Sequence, residues 1–373
     1  MKKTSFGLCL FFIAFYANLA FAFNTSELEK TLNHQIPTNP EAVFFKIEEL
    51  LKDHELSLVL KAKLMVMQSD IAYFIDQPEY ILKYAKLALA SGLLTEPWDT
   101  RVLISQSRGY FQRGQFKEFF ATANMAVLKA ERSNLSNYRV SALVERAFAS
   151  NLLGNNNNKA NKDLNLAIKY LDLLPNNFDK AIILERFSAV NTQLGHIETA
   201  KKYQHQANDI YKKIKSIHFL SISYYNLGRI YQEVEDWEQA SQLMLQSYHW
   251  ALEGKNKLNQ AFSLSRLSEF QNNLGKYELA KKYLNDAIIA ADASTSERVK
   301  IHVRKSMANI LCKNNELQAC KTLLLETISF AKSYNMQLDQ VELMRILAQT
   351  YYLLGSFEQA YLTLKAANNV ESQ

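Results

Sequence analysis

The stretch ISYYNLGRIYQEVEDWEQASQLMLQSYHWA, residues 222–251, decides the fold of this chain. Its apolar residues return at helical spacing on both sides of a short polar turn, which is typical of two amphipathic helices in succession. The small residues Gly228 and Ala240 fall where these two helices would meet. Antiparallel helices approach closely only where side chains are small. The stretch therefore predicts a packed helical hairpin.

The same hairpin recurs along most of the chain with a period of about 40 residues. Small residues occupy one position of the second helix at steps of 40: Ala160, Ala200, Ala240, Ala280, Cys320 and Ala360. Glycines that would end the first helix keep a similar period: Gly114, Gly154, Gly195, Gly275 and Gly355. A fixed period in this range predicts a solenoid, in which each helix pair covers the apolar face of the one before it.

The repeats resemble the tetratricopeptide repeat family. Within residues 222–251, the family's signature positions are filled by Tyr224, Leu227, Gly228, Tyr231, Trp237, Ala240 and Ser247. Residues 274–290 and 354–367 are further good matches. The period of about 40 exceeds the family's usual 34, and the proline that commonly closes a repeat is missing, so the chain resembles the longer variant of bacterial signalling proteins. The resemblance implies an all-α fold, a right-handed α-solenoid of antiparallel helix pairs.

The chain divides into a signal peptide, a lead-in with a capping helix, a degenerate repeat and seven clear repeats: residues 1–22, 23–56, 57–99 and 100–370. The capping helix is predicted over Pro40–Lys52, because Asn39 can cap it and Pro40 suits its first turn. All five prolines lie before residue 176. The later repeats therefore contain no proline that would interrupt a helix.

The first residues predict export. Lys2 and Lys3 precede an apolar run over residues 8–16, and residues 20–22, Ala-Phe-Ala, fit the cleavage rule, so the mature chain would begin at Phe23. An uncleaved membrane anchor is the alternative. Removing the two lysines lowers the formal net charge from +6 to +4, which is too mild to indicate nucleic-acid binding. No later run reaches the roughly 20 apolar residues that span a bilayer. We expect a periplasmic or secreted protein without a membrane span.

Two cysteines, Cys312 and Cys320, remain in the mature chain on either side of a predicted helix–helix turn. An oxidising compartment would permit a disulfide between them. The alternative is that both are small buried residues in packing positions. No cysteine or histidine set has metal-ligand spacing, and no phosphate-binding glycine loop or nucleophile motif occurs. The sequence therefore predicts no enzyme, no metal and no cofactor.

The resemblance also implies a binding groove, because first helices in the family line a concave surface that holds peptides or protein segments. The first-helix positions expected to face this groove are Arg101, Arg108, Tyr225, Asn226, Arg229, Gln232, Arg266, Asn272, Lys305, Asn309 and Arg345. Asparagine amides donate to and accept from peptide groups, and arginine can bind a carboxylate with two parallel hydrogen bonds. The expected ligand feature is an acidic side chain or a C-terminal carboxylate.

The alternative to a groove is an ordinary polar helix face. In that interpretation, three glutamates on the same helices neutralise the arginines locally: Glu185, Glu269 and Glu342.

The last helix presents a second surface, since Tyr361, Leu364 and Val370 would face a further repeat. Terminal repeats usually need a polar outer face for solubility. We therefore expect a homodimer or partner contact at this end, with a frayed apolar end as the alternative.

The predicted function is a non-catalytic periplasmic module that binds a protein or peptide. Two alternatives stay open. One is a sensor or accessory subunit of a membrane signalling protein such as a cyclase or histidine kinase, and the other is an envelope-assembly scaffold.

Overall fold

The computed structural model describes residues 26–132, 136–153 and 157–372. A short helix, α1, spans residues 26–35. Three longer helices precede the regular repeats: α2 (Pro40–Lys52), α3 (Leu58–Phe74) and α4 (Pro78–Ala90). The expected signal peptide with its cleavage point at Phe23, and the expected turn glycine Gly154, lie outside the described residues.

Within the described ranges, seven antiparallel helix pairs follow. They are α5 (Trp98–Gln112) with α6 (Phe116–Ala130), α7 (Ser136–Leu152) with α8 (Asn157–Leu171), α9 (Phe178–Gln193) with α10 (Ile197–Lys213), α11 (Ile217–Gln232) with α12 (Trp237–Glu253), α13 (Lys257–Asn273) with α14 (Tyr277–Asp292), α15 (Glu297–Lys313) with α16 (Leu317–Ser333), and α17 (Gln337–Leu353) with α18 (Phe357–Ser372). The predicted all-α solenoid of helix pairs is confirmed.

The helix pairs stack in two layers. Each odd-numbered helix from α3 to α17 contacts the next odd-numbered helix, whereas no two even-numbered helices share a comparable contact in the described parts of the chain. The odd helices therefore form a continuous inner layer, and the even helices lie outside it. We call the side of the odd helices that faces away from the even helices the inner face.

Small residues set the spacing within a pair, as the sequence predicts. A Cβ atom built on Gly228 would lie 3.0 Å from Met244 Cε and 3.3 Å from the Ala240 carbonyl oxygen. Ala240 and Ser247 on the facing helix are fully buried. The first helix of this pair thus approaches the second too closely for a larger side chain at residue 228.

The turn inside each pair needs a left-handed backbone. Gly195, Gly275 and Gly355 adopt it with φ of 77°, 72° and 73°. In the two repeats where the glycine series has a gap, Glu235 and Asn315 take the same position with φ of 57° and 65°. The gaps in the glycine series therefore reflect a tolerated substitution and not a different turn, because asparagine and other non-glycine residues enter this region at an energetic cost.

The first helical pair also reaches across the solenoid. Phe74, at the end of α3, packs edge-on against Phe219 at 5.0 Å between ring centroids and against Phe178 at 5.9 Å. In the following turn, Asp76 Oδ1 accepts a hydrogen bond from Arg298 Nη1 at 2.8 Å, across 222 residues of sequence. We call these five residues the closing contact. It ties α3 to the N-terminal ends of α9, α11 and α15.

Candidate functional site

The N-terminal half of the inner face, on α5, α7 and α9, carries a buried ionic cluster. Glu145 is fully buried, and its Oε1 accepts from Arg108 Nε at 2.7 Å and from Arg186 Nε at 3.0 Å. Burial opposes ionisation of this carboxyl, but the two guanidinium groups hold the pKa of Glu145 below its ordinary value. A buried carboxylate with two cationic partners is a structural unit whose loss would leave uncompensated charge.

Tyr73 from α3 covers this cluster. The Arg108 guanidinium lies 5.4 Å from the centre of the Tyr73 ring, and Arg186 Nη1 donates to the Tyr73 hydroxyl at 3.5 Å. On the other side, the Arg186 guanidinium lies 4.5 Å from the Phe148 ring centre. This part of the inner face is therefore enclosed by protein on both sides, and we call it the sealed half.

Arg101 belongs to the same enclosed region. Its Nε is 2.5 Å from Asp70 Oδ2 on α3, and its guanidinium lies 5.0 Å from the Trp98 ring centre. The structure thus places two residues expected to face a ligand, Arg101 and Arg108, in contacts within the chain. The sequence pattern could not show this, because the covering helix α3 comes from the degenerate first repeat.

Glu185 on α9 marks the border of the sealed half. No basic side chain lies within ion-pair distance of it in the described ranges. Instead Tyr211 Oη donates to its Oε2 at 2.9 Å, and the amides of Asn226 and Gln204 lie 3.4 Å from its Oε1. Burial raises the pKa of Glu185 to about 7, against the opposing effect of these neutral donors. Glu185 therefore does not neutralise an arginine as the polar-face interpretation expects.

The C-terminal half of the inner face, on α11, α13, α15 and α17, is looser. Arg266 Nη1 lies 3.4 Å from both carboxylate oxygens of Glu269, and Arg266 Nε lies 3.4 Å from Tyr225 Oη. Strong charge-assisted bonds are about 2.7–2.9 Å long. Arg229 is exposed and forms no ion pair in the described parts of the chain. In this half, the carboxylate of Glu269 therefore binds Arg266 only weakly, and no carboxylate in the described residues binds Arg229.

Other expected groove residues differ in how firmly they are held. Lys305 Nζ is 2.5 Å from Glu342 Oε2, and burial of that carboxyl is outweighed by Lys305, so that the pKa of Glu342 is lowered. Asn272 is buried and exchanges hydrogen bonds of 3.3 and 3.2 Å with Asn314. These contacts make Lys305 and Asn272 parts of the inner layer.

Three expected residues keep polar atoms accessible or incompletely bonded. Asn309 Nδ2 reaches Glu269 Oε2 at only 3.3 Å, the buried Gln232 Oε1 has no hydrogen-bond partner in the described residues, and Arg345 is exposed on α17. We call the following set the open half: Tyr225, Asn226, Arg229, Gln232, Arg266, Glu269, Asn309 and Arg345.

The buried histidine His302 has a pKa that responds to the charged side chains around the open half. His302 lies edge-on to Phe262, with ring centroids 4.8 Å apart, and its Nε2 has no hydrogen-bond partner in the described residues. Its pKa is held well below the ordinary value by burial and by four surrounding cations, with Arg266 and Lys305 first among them. Three of these cations are paired with carboxylates, Arg266 with Glu269, Lys305 with Glu342, and Arg298 with Asp76 and Asp339. Arg229 is the one of the four without an ion pair in the described ranges.

Cys312 and Cys320 lie across the turn between α15 and α16. Their sulfur atoms are at bonding distance, 2.12 Å, and their Cα atoms are 5.4 Å apart, within the usual range for a disulfide. Cys320 is also fully buried at the small-residue position of its repeat. Packing and pairing are therefore compatible at this site.

In the described ranges, no three histidine, cysteine, aspartate or glutamate side chains are close enough together to hold a metal ion. In the same ranges, no helix combines the length and apolar character that crossing a bilayer requires.

No protein-family model matches this sequence, and no curated protein matches it. Solved structures do. A Rap protein complexed with Competence and Sporulation Factor matches with a TM-score of 0.64 and 16% identity, over 94% of this chain and 97% of the other. Aspartyl phosphate phosphatase F from Bacillus subtilis gives 0.55 and 12%, over 94% and 93%. NprR in complex with its cognate peptide NprX gives 0.53 and 13%, over 84% and 90%.

This chain has a tetratricopeptide-type fold. The similarity covers nearly the whole described length, so it includes the degenerate first repeat as well as the seven regular pairs. At these identities, the comparison establishes the fold alone.

Proposed function

We propose that this chain is a non-catalytic binding module that holds an extended peptide or protein segment on its open half. The main support is that the two halves of the inner face differ. Tyr73 covers the sealed half, whereas Arg266 in the open half forms only long contacts with its neighbours. The fold match to NprR bound to its peptide supports this reading.

The chemistry of the open half suits a peptide. Asn226, Gln232 and Asn309 each carry an amide that can donate to and accept from a peptide group. They lie on α11 and α15, so a segment bound by all three would run across the inner layer. Their present contacts are 3.3–3.4 Å long or missing. A ligand that forms hydrogen bonds to these amides would therefore break few hydrogen bonds within the chain.

The least firmly bonded cations of the open half indicate which peptides fit best. Arg229 is exposed without an ion pair in the described ranges, and the contacts of Arg266 to Glu269 are long. Both guanidinium groups could turn toward a carboxylate with small loss of internal bonding. We infer that the bound segment presents an acidic side chain or its C-terminal carboxylate here.

We infer no catalytic role for the inner-face carboxylates Glu145 and Glu185. Glu145 is bonded to two arginines, and Glu185 to a tyrosine and two amides. A general acid–base pair or an activated nucleophile would need a reacting group within hydrogen-bond reach. Aspartyl phosphate phosphatase F, one of the structural neighbours, shares the fold with this chain. We do not propose its phosphatase activity for this chain.

We also propose that the protein works in the periplasm. The apolar N-terminal run with its cleavage pattern supports export, and the paired sulfurs of Cys312 and Cys320 suit an oxidising compartment. Mass spectrometry of the protein from a periplasmic fraction should show an N-terminus at Phe23. Recovery only from the cytoplasm, with Met1 retained, would contradict export.

Binding can be tested with an array of synthetic peptides that differ in acidic content and C-terminal group. The variant Arg229→Ala/Arg266→Ala should bind the best acidic peptides at least about tenfold more weakly, since a charge-assisted bond is worth roughly 1.5–3 kcal/mol. The matched control is Arg304→Ala, because Arg304 lies on α15 but packs against Phe330, 4.7 Å from its ring centre. Equal affinity of the double variant and wild type would refute the proposed site.

A further inference from the structure

The last helix pair carries a continuous exposed apolar patch. Six large side chains are between 45% and 64% exposed: Tyr352, Leu353, Phe357, Tyr361, Leu362 and Leu364. The Tyr352 and Phe357 rings are 5.4 Å apart and join the parts on α17 and α18. We call these six residues the terminal patch.

Leu364 differs in exposure from its counterparts in the preceding repeats. It corresponds, at steps of 40, to Leu324 and Leu284, which are 0% and 8% exposed. Leu364 itself is 45% exposed. Its position is therefore a packing position that no helix within the described residues covers.

Leu362 is different. At steps of 40, its equivalents in five preceding repeats are all exposed to solvent: Lys162, Lys202, Gln242, Lys282 and Thr322. A following repeat therefore leaves this position uncovered. The position of Tyr361 is more varied, since Lys281 is exposed but Ser241 is buried. An apolar residue at the position of Leu362 points to a contact with another protein surface.

The charges beside the patch identify a self-complementary surface. Glu358 and Lys365 are both exposed, form no ion pair in the described residues, and lie on the same side of α18 as Tyr361. They are equally far, in sequence, from the midpoint between Tyr361 and Leu362. Two copies of α18 packed antiparallel about a twofold axis at that midpoint would place each Glu358 opposite the other copy's Lys365.

The area of the patch is sufficient for such a contact. Six large side chains that are about half exposed offer roughly 100 Å² each, or about 600 Å² per copy, before the flanking polar residues are counted. Stable interfaces bury about 800 Å² per partner. The patch with its charged rim approaches this size.

We propose that the protein is a homodimer in which the α18 helices of two copies pack antiparallel through the terminal patch. The interface is isologous, and two Glu358–Lys365 ion pairs set its register. The open half lies on other helices, so the proposal is independent of peptide binding.

Charge-reversal variants test both the dimer and its register. Sedimentation at about 10 μM should give twice the single-chain mass for the wild type. Glu358→Lys alone, or Lys365→Glu alone, should weaken dimerisation at least about tenfold, because each places like charges opposite each other twice. Combining both reversals in one chain should restore the dimer. Because both side chains are exposed, the helical content of each variant should stay unchanged.

A mixture and a control complete the test. Mixing the Glu358→Lys chain with the Lys365→Glu chain should yield a mixed dimer, since every facing pair is then of opposite charge. Glu278→Lys, at the equivalent exposed position of α14, should leave the dimer intact. A wild type of single-chain mass would overturn the dimer. Single reversals that stay dimeric, or a double reversal or mixture that stays monomeric, would overturn the antiparallel contact.

Discussion

The sealed and open halves of the inner face carry the same residue types on the same layer of helices, yet they differ in how those residues are bonded. In the sealed half, Glu145 is fully buried between Arg108 and Arg186 at 2.7 and 3.0 Å. In the open half, Arg266 lies 3.4 Å from Glu269, and Arg229 is exposed. The difference comes from Tyr73 on α3, which contacts Arg108 and Arg186 in the sealed half. The end of α3 and the turn after it reach α11 and α15 near the N-terminal ends of these helices, at Phe219 and Arg298.

The comparison shows that a polar residue on a repeat's inner helix is not by itself a binding residue. Position within the repeat decides which way a side chain faces, but the covering element decides whether a ligand can reach it. Tyr73 performs that covering here. A surface of this fold should therefore be assigned to binding only after its internal hydrogen bonds have been counted.

The largest expected effect is a difference in stability between variants of the sealed half and variants of the open half. Glu145→Ala should lower the free energy of unfolding by about 3–5 kcal/mol, because it leaves two buried arginines without a partner. Glu269→Ala should cost less than Glu145→Ala, because the short bond of Glu269 is to the neutral Ser306 hydroxyl and its contacts to Arg266 are 3.4 Å long. Urea unfolding of both variants measures this directly. Similar losses for the two would remove the distinction between the halves.

Reduction of the Cys312–Cys320 pair should have the next largest effect. Closing a loop of this length is worth about 2.5 kcal/mol in the chain-entropy account. The loss should appear as faster hydrogen exchange in α15, which carries Asn309 of the open half, and in α16, while the sealed half stays protected. Thiol labelling of the unreduced protein should find no reactive cysteine after Cys9 is removed with the signal peptide. Two labelled thiols would show that these residues only pack.

The effect at Glu185 should depend on pH and vanish in acid. Its pKa is raised to about 7 from an ordinary 4.5, so the stability that the neutral carboxyl provides is full below pH 4.5 and is lost as pH rises through 7. Glu185→Gln cannot ionise and should be more stable than wild type by up to about 3 kcal/mol at pH 8, with little difference at pH 4.5.

Glu342→Gln is the matched control for that pH dependence. Its carboxyl has a lowered pKa beside Lys305, so the variant should lose stability above pH 4.5 instead of gaining it. Thermal unfolding of both variants across pH 4.5–8 tests the opposite signs. The same direction of change in both would contradict the assigned environments.

The sequence predicted the helix pairs well, because small residues such as Gly228 and Ala240 recur wherever two helices must touch. It predicted the turns less completely, because Glu235 and Asn315 adopt a left-handed backbone that glycine normally marks. Both features depend on residues within one repeat, but only the small residues at the helix contact recur regularly enough to mark every pair.

The candidate site could be predicted only in part. The pattern identified Arg229 and Arg266 as inner-face residues, but it treated Arg101 and Arg108 alike. Their environment depends on Asp70 and Tyr73, from a repeat too irregular to align with the others. Likewise, the contact between Asp76 and Arg298 spans 222 residues, and no periodic signal connects residues that meet only after a turn of the solenoid.

We propose that a ligand occupies the open half of the inner face and not the sealed half. Photo-crosslinking in cells tests it, with a benzophenone amino acid placed at Tyr225 or Asn309 in the open half, at Ser141 beside Arg108 in the sealed half, and at the exposed outer Tyr277. The account predicts a common peptide or protein adduct at Tyr225 and Asn309, and none of it at Ser141 or Tyr277. The same adduct at Ser141, or its absence from both open-half positions, would contradict the account.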